Sequence, residues 1–155
     1  MMNILRLQQM EILAGDGTPV RLVYDEDADI LELFFGDNGP ARGIELTDQI
    51  VLRLDREARR AVSLTLLHFS ILSEQTVYGP RSWRLDSLEQ MPDALREVVL
   101  RVLTTLPVSQ FLKLTQLQTG SAQFVSVAYV DAPRAVAYAK VMTENPASVA
   151  PATIT

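Results

Sequence analysis

Enzymatic chemistry needs polar side chains of the right kind within reach of one another, and this chain offers few such groupings. His68 is its one histidine, and Ser70 follows two residues later, on the same side of a strand if the strand persists that far. A Ser–His pair acts as nucleophile and base only when the imidazole reaches the hydroxyl and a third group orients it. No orienting group stands out, and the plainer reading is a strand-end histidine with a satisfied N–H. A single histidine also leaves out the multi-histidine metal sites. The run Asp25-Glu26-Asp27-Ala28-Asp29 starts like a calcium loop, but its sixth position is Ile30 instead of Gly and its twelfth is Gly36 instead of Glu. It reads instead as a turn whose aspartates accept hydrogen bonds from their own backbone.

Glu32 and Glu45 could be a carboxylate pair, yet Arg21 and Arg53 share their face. A cross-strand charge ladder worth about 0.2–1 kcal/mol per pair accounts for all four. A glycosidase-type pair would need a cleft that raises one pKa, and nothing implies that cleft. Tyr78-Gly79-Pro80-Arg81-Ser82-Trp83-Arg84 holds the one tryptophan between two arginines. Trp83, Arg81 and Arg84 are residue types favoured as interface anchors. Equally, Trp83 can plug the junction between sheet and helix while the arginines stay solvated. The chain has no P-loop, G-x-G-x-x-G, G-x-S-x-G or H-E-x-x-H. With no cysteine it has no disulfide, thiolate nucleophile or cysteine zinc site. No catalytic residue, metal or cofactor is assigned.

The elements that position these residues are clearer. From Val20 to Ser70, short apolar runs alternate with acidic or glycine-containing breaks, the pattern of antiparallel strands joined by tight turns. Strands are expected at Val20–Tyr24, Ile30–Phe35, Arg42–Leu46, Gln49–Leu54 and Ala61–Leu67, with an edge strand before the turn Gly15–Pro19. One parity set is almost wholly apolar: Val20, Leu22, Tyr24, Leu31, Leu33, Phe35, Ile44, Leu46, Ile50, Leu52, Leu54, Val62, Leu64 and Leu66. The other mixes Val23, Phe34 and Val51 with Arg and Glu, so the sheet buries one face and shows the other.

A lone sheet needs a cover. Leu88, Met91, Leu95, Val98, Val99, Val102 and Leu106 recur at helical spacing, and a helix is predicted over Pro92–Leu106 with Pro92 at its first position. Two more strands are expected at Phe111–Leu117 and Ala122–Val130, with extension of the same sheet left open, then a short helix Arg134–Met142 and a disordered tail from Thr143. No internal repeat of fixed period is visible. The expected fold is α+β: an antiparallel β-meander module (1–75), one main helix with a C-terminal two-strand extension packed on it (76–142), and a disordered tail (143–155).

Composition narrows the function. The 155 residues carry 14 basic and 19 acidic side chains, a net charge of −5, which repels phosphate backbones and anionic membranes. No apolar run approaches the roughly 20 residues of a membrane span, and no secretory signal pattern is present, so cytoplasmic residence is expected.

The segment Tyr24-Asp25-x-x-Ala28-Asp29-x-Leu31, with Ile44-Glu45-Leu46, Asp48-x-Ile50-Val51-Leu52 and Leu54-Asp55, resembles a bacterial family of unknown function, domain-of-unknown-function family 2283, over about Val20–Ser70. The family usually has Asp-Gly where this chain has Asp48-Gln49, and an acidic-Gly turn where it has Arg56-Glu57-Ala58-Arg59. A family glutamate in the last strand is Thr65 here, so any role of that carboxylate is lost. The resemblance implies a β-rich module without established chemistry, and makes an antitoxin-type binding role conceivable.

Two functional expectations follow. The first is a non-enzymatic interaction or assembly module, a homo-oligomer (dimer) or the partner of another protein, using Val23, Phe34 and Val51 ringed by charge. The second is a small-molecule-binding or hydrolytic enzyme with a pocket between sheet and helix, near His68, Ser70, Tyr78 and Trp83.

Overall fold

The computed structural model describes residues 7–121 and 123–131. The helix expected at 134–142 and the tail from 143 lie outside the described residues. The architecture is mostly antiparallel sheet with few helices.

Six strands form the first sheet: β1 (Leu7–Leu13), β2 (Pro19–Asp25), β3 (Ile30–Phe35), β4 (Arg42–Glu45), β5 (Ile50–Asp55) and β6 (Arg60–Leu67). They lie in the order β1-β2-β3-β6-β5-β4, every neighbour antiparallel. Two three-stranded meanders, β1–β3 and β4–β6, therefore meet at β3 and β6, and the sheet reads alike from either edge. The pair Leu33 and Leu64 lies at its centre: Leu22 faces Leu33 as Leu52 faces Leu64, and Met10 faces Leu22 as Ile44 faces Leu52. The sequence interval between equivalent residues changes with loop length and with one bulge, so no fixed period marks this pseudo-two-fold.

The parity argument holds along β2 to β5: every residue of the expected apolar set there is buried. Val62 is the correction. In β6, Leu54 faces Ala61 but Arg53 faces Ser63, so Val62 is the extra residue of a bulge. The bulge sends Ala61 into the core and turns Val62, buried to 1% exposure, to the opposite face beside Phe34.

The cover over the core face is shared among several elements. Helix α1 (Phe69–Leu72) and helix α2 (Ser87–Gln90) are single turns, and α3 (Asp93–Leu103) is the longer piece. Pro92 caps α3 and does not begin it. The helix ends at Leu103, short of Leu106, and the Thr104 and Thr105 hydroxyls donate to its last-turn carbonyls at Leu100 and Arg101, each at 2.8 Å. Leu103 is buried as a result, and Leu106 is 45% exposed.

The two C-terminal strands build a second sheet and do not extend the first. β10 (Leu112–Gly120) and β11 (Gln123–Val130) form a hairpin, and β11 also pairs with β9 (Trp83–Arg84). Between them in the chain, β7 (Gln75–Thr76) and β8 (Gly79–Pro80) make a small hairpin. Val99, Val102, Leu103, Val108, Phe111, Leu112, Ala128 and Val130 join the apolar face of the first sheet in one core. Phe35 and Phe111 meet there, ring centroids 6.3 Å apart. Two side-chain bonds tie cover to sheet: Gln110 Oε1 accepts from the Gly15 N–H at 2.8 Å, and the Ser87 hydroxyl donates to the Leu46 carbonyl at 3.0 Å.

Candidate functional site

The acidic turn between β2 and β3 is built by its own side chains. Asp25 Oδ1 accepts from the Ala28 N–H at 3.2 Å, and Asp29 closes the turn in the left-handed region, φ 57°. The turn between β5 and β6 repeats this design, with Asp55 Oδ1 accepting from the Ala58 N–H at 3.1 Å and Arg59 at φ 53°. Only the first turn does more. Asp29 Oδ1 accepts the Tyr24 hydroxyl at 3.0 Å and the Ser70 N–H at 3.0 Å, and Oδ2 accepts the Ser70 hydroxyl at 2.5 Å. The Asp29 carbonyl accepts the Phe69 N–H at 2.9 Å, and the Tyr24 ring meets Phe69 edge-on at 5.8 Å. Asp29 thus straps the β2–β3 turn to the start of α1. Burial, then the hydrogen bond to Asp29, then the charges of Asp29, Glu26 and Asp25, push the Tyr24 phenol up to about 12.

These contacts decide the fate of the Ser–His pair. His68 is exposed at φ 53°, the hinge between β6 and α1, while the Ser70 hydroxyl is committed to Asp29. The left-handed turn at His68 ends the strand on which the two residues would have shared a side.

A recess of about 180 Å³ does lie between sheet and helix, lined by Phe35, Arg59, Arg60, Val102, Thr105 and Val108 among others. His68, Ser70, Tyr78 and Trp83 are not among its lining residues. Arg60 is held there by backbone carbonyls, donating to Phe35 at 2.9 Å, Asp37 at 2.5 Å and Ala61 at 3.4 Å. Among the described residues, no group of three or more His, Cys, Asp or Glu side chains is placed to hold a metal ion.

The face of the first sheet turned away from the core is the other candidate, and the strand registers fix its pattern. One row across the strands reads Gln9, Val23, Glu32, Thr65, Val51, Glu45; the next reads Glu11, Arg21, Phe34, Ser63, Arg53, Gly43. Val23 and Val51 share a row but stand apart, with Glu32 and Thr65 between them. Phe34 lies in the adjacent row under the Arg21 guanidinium, 4.4 Å from the ring centroid. All three apolar residues are half-buried. A shallow recess of about 220 Å³ opens beside Phe34, lined also by Glu11, Arg21, Asn38 and Val62.

The expected charge ladder is not what the registers produce. Arg21 stands opposite Glu11 and Phe34, Arg53 opposite Ser63 and Gly43, Glu32 opposite Val23 and Thr65, and Glu45 opposite Val51. None of Arg21, Arg53, Glu32 and Glu45 has an ion-pair partner within 4.0 Å among the described residues. The Ser63 hydroxyl, fully buried between Phe34 and Arg53 in its row, has no hydrogen-bond partner there either.

Trp83 and its arginines lie elsewhere. Trp83 packs against the core from the cover side, so the first sheet stands between it and Phe34. Arg81 sits 5.8 Å from the indole ring and 3.6 Å from Glu74, and Arg84 pairs with Asp86 at 3.2 Å. The six residues proposed from sequence thus fall into two separate groups. The Asp29–Ser70 strap and the Arg60 latch were not foreseen; the Tyr24-to-Asp29 motif was the one signal for the former.

No helix among the described residues is long and apolar enough to cross a membrane. No curated protein and no solved structure matches the chain. Residues 21–70, the segment holding most of β2, all of β3 to β6 and the Asp29 strap, match the family described as protein of unknown function DUF2283.

Proposed function

We propose that the chain is a non-enzymatic protein-interaction or assembly module whose docking surface is the outer face of the first sheet. The observation that carries this reading is the pair of rows on that face, where Arg21, Arg53, Glu32 and Glu45, with no ion-pair partner among the described residues, stand around half-buried Val23, Phe34 and Val51. Half-buried apolar groups within unpaired charge suit a protein contact better than a reaction. The family motif supports it indirectly, because Tyr24, Asp25 and Asp29 are occupied in holding turns. The net charge of −5 argues against a nucleic-acid partner, and the cysteine-free composition fits a cytoplasmic protein. The enzyme reading has less support, since the recess between sheet and helix is lined by other residues than His68 and Ser70.

The test uses the affinity-tagged full chain and a Phe34→Lys variant, with Val77→Lys, at a residue 93% exposed, as control. Phe34→Lys keeps the wild-type melting profile and loses association with itself or with the protein that co-purifies, while the control keeps it. Retained association in Phe34→Lys, or unfolding of that variant, overturns the reading.

A further inference from the structure

We propose that the occupant of the outer face is a second copy of this chain, stacked face to face about a two-fold axis that lies across the strands. This rests on the reading of that face as a docking surface. A two-fold interface must be complementary to itself, because each patch meets its own image. The two rows meet that demand in one orientation. An axis across the strands reverses strand direction, so the row with Glu32 and Glu45 in one copy lies over the row with Arg21 and Arg53 in the other. An axis along the strands lays each row on itself, bringing Arg21 over Arg53 and the two copies of Glu32 within one strand spacing of each other, an arrangement that like charge opposes.

Reach agrees with this arrangement. Adjacent strands are about 4.8 Å apart, so an arginine can cross one strand spacing to meet a glutamate on the facing sheet. Six strands and the two rows span roughly 29 by 14 Å, on the order of 800 Å² over both copies, so the turns at the two ends of the sheet must add to the contact. The same axis brings the ends together in the same sense. Because β3 and β6 are antiparallel, the β2–β3 turn (Asp25, Glu26, Asp27, Asp29) and the β5–β6 turn (Arg56, Arg59, Arg60, with Asp55 and Glu57) lie at opposite ends of the sheet. Reversal moves the acidic turn of each copy towards the arginine-bearing turn of the other.

Sedimentation equilibrium of the full chain tests this, with the variants R21E/R53E and E32R/E45R alone and mixed. The wild type should dimerise, less so at high salt. Each variant alone should dimerise at least about ten-fold more weakly, and the mixture should form a heterodimer. Glu45→Arg, at an exposed residue, and Arg53→Glu, its facing partner in this arrangement, repeat the mixing experiment if a double variant does not fold. A wild type that stays monomeric, a dimer indifferent to both reversals, or a mixture that fails to restore dimers overturns the proposal. If the wild type is monomeric yet the reversals abolish the co-purifying complex, only the second copy is wrong; if they change neither, the outer-face reading falls with it.

Discussion

The Ser70 hydroxyl donates to the Asp29 carboxylate across 41 residues of sequence. With the Ser70 N–H and the Tyr24 hydroxyl on the same carboxylate, one side chain joins a hairpin turn, a strand and a helix start. Hydrogen bonds to a charged acceptor are among the stronger polar contributions to a fold. The motif residues that a functional reading would favour are thus accounted for by architecture.

Asp29→Ala removes those bonds and leaves an alanine at φ 57°, so it should destabilise by about 2–3 kcal/mol. Asp29→Asn keeps an amide oxygen and a residue tolerant of that φ, and should cost about 1 kcal/mol. Urea denaturation of both variants checks the order; equal losses would show that charge and geometry at Asp29 are not what matters.

Arg59 occupies the equivalent place in the other turn, at φ 53°, with an exposed side chain. Glycine there relieves backbone strain without removing a strap, and Arg59→Gly should stabilise by roughly 0.5–1 kcal/mol. Asp29→Gly should do the opposite. Melting temperatures that move in the same direction for both would contradict the assignment of the strap to Asp29 alone.

Tyr24 gives the fold an alkaline limit. An unfolded tyrosine titrates near 10 and the folded phenol near 12. Between these values the unfolded chain has released a proton that the folded chain keeps, so stability falls as pH rises. The contribution is whole below pH 10 and is lost through pH 12. Tyr24→Phe should lose about 1 kcal/mol at neutral pH through the missing hydrogen bond. It should also show a shallower decline between pH 10 and 12, and the difference absorbance between the two proteins should titrate near 12.

Arg60 fixes the loop after β3 through the Phe35 and Asp37 carbonyls. Lysine cannot present that fork of donors. Arg60→Lys should cost about 1–2 kcal/mol and speed hydrogen exchange in the stretch 36–41 while leaving the β5 amides protected. Unchanged exchange in the loop would show that the latch is not structural.

The first sheet was largely legible from sequence because alternation is a strong signal. Leu31, Leu33, Leu52 and Leu54 are all fully buried, as their parity requires. The failures share a cause, that register and short elements leave no periodic trace. Val62 was placed on the wrong face because a bulge adds one residue to one strand, which alternation cannot register. The charge ladder failed because face membership is readable and cross-strand opposition is not: Glu32 faces Val23, not Arg21. β9 is two residues long, too short to show any pattern, so the recruitment of Trp83 as a third strand of the second sheet was invisible. The two-fold arrangement of meanders escaped detection for the same reason as Val62, with unequal loops adding to it.

The sheet order has a consequence for the segment that matches the family. Residues 21–70 contain β2 to β6 but neither β1 nor the residues from Val99 to Val130 that roof the leucines. Cut out by itself, that stretch would offer a bare oily plane and an unpaired β2 border to whatever chain came near. The flanks thus act as a built-in chaperone for the middle.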